Sequence, residues 1–430
     1  MKMSKISYKV SGHQLWILAF ISSIILLATL SRSNVQVDQF SASGIKLKSH
    51  NQVPRRNVSK GVDYPPILAY WICGTNGDSK KMLRLLKAIY HPRNQYLLQL
   101  DADAPESERA ELALKVQSET VFKAFGNVDV VGASYAIDKM GVSALAATLH
   151  AAALLLKIST NWDWFIPLSP SDYPLMSQDD VLHAFTFLPR DLNFIDFATN
   201  TGWKERLMIN RIVIDPNLYY KKATPILYAV ETRTNPDAFK IFGGSQWMIL
   251  SRSFMVYCVQ GWDNFPRKLL MYLTNVPYPL ESYFHTIICN SPQFQNSTIN
   301  TDLSFMKWES PAHVGPRTLT LPDYVEMVTS NKTTIFARPF EEDDPVLEKI
   351  DDRVLNRSGN GVVPGNWCSI RGKKKNVESL KNGEELCSAS GNNIDAVKPG
   401  VYGMKLRALL SELVSDGRGK INQCQEQVYN

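Results

Sequence analysis

The stretch 67–104, ILAYWICGTNGDSKKMLRLLKAIYHPRNQYLLQLDADA, constrains the fold of this chain more than any other. Residues 67–73 are an apolar, aromatic-rich run ended by the breakers of GTNGD, which predicts a short buried strand. Met82, Leu85, Leu86 and Ile89 then recur at helical spacing, with Asp78 or Ser79 as the cap and Pro92 as the stop. Residues 96–100 read as a second buried strand, closing on Asp-Ala-Asp. A strand–helix–strand unit of this length belongs in a parallel α/β sheet, whose ligands gather at the carboxyl ends of strands. GTNGD and DADA both lie at such ends.

The alternation continues downstream. A helix is predicted over 106–125 with Leu112, Leu114, Val116 and Val121 inward, then a strand over 128–131. Residues 141–159 form a long Ala/Leu helix, apolar on most sides, which belongs against a sheet face. The run 162–168 is another buried strand and ends in SPSDYPL; Ser177 caps the acidic helix start SQDDVLHAF. Strands follow over 192–197 and 245–250, the latter after Gly243 and Gly244, read as a close backbone approach. Residues 200–228, mixed in period and rich in Lys, Arg and Tyr, read as a loop region on the acceptor side. Helices are expected from Ser251, within 277–290 beginning near Glu281, and over 322–330. The fold class is α/β, a mostly parallel central sheet flanked by helices.

The amino terminus sets the compartment. Lys2, Lys5 and Lys9 precede an uncharged apolar segment, 13–30, near the lower length limit for spanning a bilayer. Lysines in front place the tail 1–12 in the cytoplasm, and 28–30 is a poor signal-peptidase site, so an uncleaved anchor is expected. Residues 31–64 lack period and read as a stem, leaving 65–430 as a lumenal domain. Asn57, Asn296, Asn331 and Asn356 are N-glycosylation sequons that suit a lumenal address. Six cysteines are too few for a disulfide scaffold and lack metal-site spacing. Cys368 and Cys387 flank a polar loop and can pair, whereas Cys73 reads as a buried thiol. A net charge of +6 without a dense basic block sets nucleic-acid binding aside.

Six segments, in order, resemble glycosyltransferase family 14, the core-2/I-branching enzymes, and most of all its plant β-glucuronosyltransferase-like members. They are LKAIYHPRNQYLLQLDADA, NWDWFIPLSPSDYPL, GGSQWMILSRSF, PLESYFHTII, FMKWESPAH and IFARPFEEDDPVLEKID. The resemblance implies a GT-A-type fold and inverting transfer without a metal or other cofactor. It also implies glucuronic acid from UDP-glucuronate as the donor, the galactan side chains of arabinogalactan proteins as acceptor, and a single-pass type II Golgi membrane protein.

On the resemblance, Glu281 in PYPLESYFHT is the base that takes the acceptor proton; an acid in a first helical turn also serves as a dipole partner. Arg317 and Arg338 are the cations for the departing diphosphate. The family commonly carries a basic residue where this chain has Pro339. Asp101 matches a nucleotide-contacting position and doubles as a turn former, the backbone at Cys73 faces the uracil, and Asp172 orients a loop at the sugar. Trp308 matches an acceptor-side tryptophan, with burial in the core as the plainer reading, and Lys204 and Arg206 face the acceptor or a glucuronate carboxylate. Asp101-Ala102-Asp103 mimics a metal-binding Asp-x-Asp. The later strand end that carries such a motif instead offers one carboxylate among serines and a proline, a poor site for a hard divalent cation. The alternatives are N-acetylglucosaminyl or xylosyl transfer, a two-carboxylate glycoside hydrolase, and a non-enzymatic glycan-binding module.

Overall fold

The computed structural model describes residues 58–198, 209–220, 222–261, 263–308, 315–330, 333–358, 360–368, 393–415 and 424. The anchor, most of the stem, Asn57, Lys204, Arg206, Asn331 and Cys387 lie outside the described residues, and no described helix is long and apolar enough to cross a membrane.

The strands in chain order are β1 (Leu68–Gly74), β2 (Gln95–Leu100), β3 (Val128–Val130), β4 (Trp164–Leu168), β5 (Tyr173–Pro174), β6 (Asn193–Phe197), β7 (Arg211–Ile214), β8 (Leu227–Thr232), β9 (Gly244–Ser251), β10 (Thr298–Ile299), β11 (Ser304–Phe305) and β12 (Phe336–Ala337). Seven of them make the central sheet in the order β10-β6-β9-β4-β1-β2-β3. Its neighbours pair in parallel except β9, which runs antiparallel between β4 and β6.

Successive residues of β1 serve opposite faces of that sheet. Leu68, Tyr70 and Ile72 pack with Met82, Leu85 and Leu86 of the helix Ser79–Ala88. Ala69 and Trp71 join the other core with Leu145 and Leu155 of the helix Val142–Ile158, and with Phe284 and Ile287 of the helix Leu280–Asn290. A sheet covered on both faces explains why its strands read as continuous apolar runs. Ser177 caps its helix as expected, in a capping box closed by Asp180.

Several expectations are corrected. The helix predicted over 106–125 breaks at Glu119, whose backbone is extended, into Glu106–Ser118 and Thr120–Phe125. Leu112 is buried but Leu114 is 65 % exposed, so the inward face is narrower than the apolar pattern. Asp78 is the N-cap residue of its helix, as expected, but its carboxylate makes no capping bond and turns back to accept from the Thr75 amide at 2.8 Å. The helix of 277–290, expected to begin near Glu281, does begin there, at Leu280, directly after Tyr278 with its left-handed φ of 50° and Pro279. The described part of 200–228 includes β7, which pairs antiparallel with β8 as a separate ribbon.

A second, small sheet, β11-β12-β5, is built from segments far apart in sequence. It sets Asp172, just before β5, beside Arg338, just after β12. Cys289 pairs with Cys424, which ties the far end of the Leu280–Asn290 helix to the tail. Cys368 is also disulfide-bonded. Cys73 is a free thiol, as read from its apolar strand.

Candidate active site

A cleft of about 910 Å³ opens at the carboxyl ends of β1, β4 and β6 and the amino end of β9. This is where a parallel α/β sheet places its ligands. Cys73, Asp172, Glu281, Trp308 and Arg338, each singled out in the sequence, line it together.

The wall between β4 and the small sheet is ionic and dry. Asp172 and Arg338 are 1 % and 3 % exposed, with Nε of Arg338 3.4 Å from a carboxylate oxygen of Asp172. Ser169 donates to the same carboxylate from its amide at 2.8 Å and its hydroxyl at 3.0 Å. Asp302, whose charge also acts on this guanidinium, accepts from Ser245 Oγ at 2.9 Å. Burial pushes both carboxyls up, and Arg338 opposes the push most strongly in each. Burial also works against the guanidinium charge, which Asp172 and Asp302 sustain. The guanidinium stacks 4.8 Å over the Trp247 ring. Its Nε and Nη1 nonetheless find no hydrogen-bond acceptor among the described residues. Buried donors left over in a cleft wall are where an acceptor on a ligand is expected.

Glu281 comes from the opposite core. Its helix begins right after the Tyr278 kink and Pro279, and the Glu281 amide donates to the Tyr278 carbonyl at 3.0 Å. One turn further on, His285 is fully buried and its Nε2 lies 3.1 Å from the Asp196 carbonyl, so Nε2 carries the proton. Burial lowers the His285 pKa to about 4. The strand end fits against this helix because residue 244 is glycine. A Cβ there would meet the Asp196 carbonyl oxygen at 2.1 Å and His285 Nε2 at 2.8 Å. The close approach read at Gly244 is therefore real, and it locks the Glu281 helix to the cleft rim.

The remaining sites sort as follows. Trp308 is 53 % exposed, which rules out the core reading. Cys73 sits at the end of β1, its thiol pushed up to about 12 by burial and then by the charges of Asp101 and Asp78. Asp101 is 2 % exposed and stands behind the wall: its carboxylate accepts from the amides of Asp103 and Ala104, closing its own turn. Arg317 grips Asp323 through two hydrogen bonds of 2.9 and 2.6 Å, while its neighbours Gly315 and Pro316 line the cleft. Asn296 and Asn356 are exposed. Sequence reasoning missed Trp247, Asp302 and Lys139; no motif singles them out, and the contacts of Trp247 with Arg338 and of Asp302 with Ser245 are remote in sequence.

Residues 68–332 match the family model described as Core-2/I-Branching enzyme. Over 360 residues the chain is 44 % identical to beta-glucuronosyltransferase GlcAT14A of Arabidopsis thaliana, covering 84 % of this chain and 78 % of that protein. It is 47 % identical to GlcAT14C of the same plant over 314 residues, 73 % of this chain and 80 % of that one. Identity to xylosyltransferase 2 of Canis lupus familiaris is 27 %, over 67 % of this chain and 34 % of that protein. With this sheet and this cleft, the chain is a glycosyltransferase of the nucleotide-sugar-dependent kind. It belongs to the core-2/I-branching enzyme family.

Proposed function

We propose that the protein is an inverting β-glucuronosyltransferase that moves glucuronic acid from UDP-glucuronate to galactan side chains of arabinogalactan proteins. The observation that carries this reading is one cleft holding Glu281 together with a buried arginine whose Nε and Nη1 lack acceptors among the described residues. The glucuronosyl donor rests on the similarity to the Arabidopsis beta-glucuronosyltransferases.

In the reaction the acceptor hydroxyl attacks the anomeric carbon, and its proton passes to the Glu281 carboxylate. The bond from that carbon to the β-phosphate oxygen breaks, and its electron pair stays on the departing UDP. Arg338 offers its unpartnered N–H groups to the diphosphate. Exposed Trp308 offers a ring to the apolar face of a galactose unit. The strand-end carboxylate, Asp172, is occupied by Ser169 and neighbours a guanidinium, which supports a transfer that uses no divalent metal. We place this domain in the Golgi lumen behind the anchor 13–30, with Asn296 and Asn356 as exposed glycan acceptors.

The test is transfer from UDP-glucuronate to a β-galactan, with and without EDTA, by wild type and Glu281→Gln. The variant should lose about a thousandfold in turnover while keeping its UDP affinity and fold. Turnover like that of the wild type removes Glu281 from the mechanism, and loss of wild-type transfer in EDTA removes metal independence.

A further inference from the structure

The cleft contains a second cation that the sequence did not single out. Lys139 lies in the loop between β3 and the helix Val142–Ile158, exposed and on the same lining as Cys73, Asp172 and Glu281. The loop around it is pinned on both flanks. The Met140 amide donates to Asp138 Oδ1 at 2.8 Å, and the Asp138 amide donates to Ser143 Oγ at 2.9 Å. The Tyr278 amide, at the kink before Glu281, donates to the Met140 carbonyl at 2.8 Å. Gly141 lets the loop press against Asp215, whose Oδ2 would stand 2.0 Å from a Cβ at that position and accepts from the Ser143 amide at 2.8 Å. Lys139 is thus carried by a fixed backbone that also braces the start of the Glu281 helix.

The charge balance of the cleft gives this position its meaning. The described lining carries the carboxylates of Asp78, Asp172, Asp196 and Glu281 against only Lys139 and Arg338. A nucleoside diphosphate brings further negative charge into that field, and unscreened like charges at these separations repel strongly. The Arg338 charge is already sustained by those of Asp172 and Asp302. Lys139 makes no ion pair or hydrogen bond with any described residue. Its charge is nonetheless felt at both ends of the cleft floor, where it works against the upward push of burial on the Cys73 thiol and the Asp172 carboxyl. Cys73 lies at the end of β1 and Asp172 in the turn that follows β4.

We propose that Lys139 is a second cation that, beside Arg338, meets the diphosphate of the donor and takes up charge that appears on the β-phosphate oxygen as the sugar leaves. The proposal rests on the nucleotide-sugar reading above. Its ammonium has three rotatable donors, suited to a phosphate group as a point charge, and being exposed it loses little solvation before the ligand arrives.

The experiment is calorimetric titration of the full-length chain with UDP, uridine, UDP-glucuronate and UDP-glucose, using wild type, Lys139→Met and Lys139→Arg. Lys139→Met should weaken UDP by about tenfold to a hundredfold, the range of a charge-assisted contact, and leave uridine binding unchanged. Lys139→Arg should restore most of the loss, and the salt dependence of UDP binding should flatten in Lys139→Met alone. Equal UDP affinity in wild type and Lys139→Met overturns the proposal. So does intact UDP binding with a lost preference for UDP-glucuronate over UDP-glucose, which assigns Lys139 to the sugar carboxylate instead. Failure of the wild-type chain to bind UDP at all overturns the donor reading, and the proposal with it.

Discussion

Two buried arginine–aspartate clusters begin at adjacent residues, Asp172 and Tyr173, and they are finished differently. On the Tyr173 side, Arg357 holds Asp351 at 2.6 and 3.2 Å, the Tyr173 hydroxyl at 3.1 Å and the Gly361 carbonyl at 2.9 Å. Arg84 adds a further contact to Asp351 at 2.9 Å, and Tyr173 donates to it at 2.6 Å. Every nitrogen of the Arg357 guanidinium has an acceptor. On the Asp172 side, Arg338 has one carboxylate at 3.4 Å and, among the described residues, two nitrogens without acceptors. Both sites are equally dry, so burial does not distinguish them. The first is closed and ties the segment after the helix Pro345–Arg353 to the sheet; the second is open towards a cleft. A buried polar network left incomplete is costly, and it persists where a ligand completes it.

The largest effect expected from this contrast is on stability, at the closed cluster. Arg357→Met leaves Asp351 buried with only part of its partners and should cost about 3 kcal/mol, near the low end for a broken buried pair because Arg84 remains. Denaturant unfolding measures the loss, and turnover per folded molecule should not change. A variant that keeps its stability but loses UDP affinity would erase the distinction between the two clusters.

At the open cluster the effect should fall on the ligand. Arg338→Lys keeps the positive charge that Asp172 and Asp302 sustain but loses the planar fork. UDP should bind about tenfold to a hundredfold more weakly, as expected for the loss of charge-assisted hydrogen bonds. The thermal shift that saturating UDP gives the wild type should shrink accordingly. Arg357→Met should retain that shift. UDP affinity unchanged in Arg338→Lys would mean that the orphaned nitrogens face no phosphate.

The same contrast defines what the sequence could say. The strands around the cleft were legible because a sheet buried on both faces needs unbroken apolar runs, and their breakers marked the strand ends. The α/β class and the parallel strands followed from that. Nothing local separates Arg338 from Arg357. Each is an arginine in the late, irregular part of the chain, and their difference lies in remote partners, Asp172 across 166 positions and Tyr173 across 184. Asp172 and Tyr173 themselves are neighbours, yet their side chains join different clusters, one closing the turn before β5 with Ser169 and the other meeting Asp351. Lys139 was missed for a related reason: its loop has no period, and its role depends on a field made by four distant carboxylates. The Cys289–Cys424 bond, across 135 residues, could not be read from spacing either. Glu281 stood out through the family resemblance; its spacing alone describes any helix start.

A third arginine–aspartate pair, Arg317 with Asp323, completes the series from buried to exposed and should give the smallest effect. Arg317 is 29 % exposed, and Lys307 shares the same carboxylate at 2.8 Å. Arg317→Met should therefore cost about 1 kcal/mol or less, in the range of partly exposed pairs. Hydrogen bonds from Arg317, and then from Lys307, hold the Asp323 carboxyl well below its ordinary range. A carboxyl lowered in the folded state binds fewer protons than its unfolded counterpart. Its stabilisation is complete above the unfolded value of about 3.9 and is lost as the pH falls below it. Unfolding measured from pH 6 down to pH 2 should show wild type losing stability below about pH 4, with a shallower loss in Arg317→Met. UDP affinity at neutral pH should be the same in both, because Asp323 already engages the guanidinium. If Arg317→Met loses UDP affinity instead, this arginine leaves Asp323 for the diphosphate when the donor binds. The ordering of the three pairs by exposure would then fail as a guide to which of them meets the ligand.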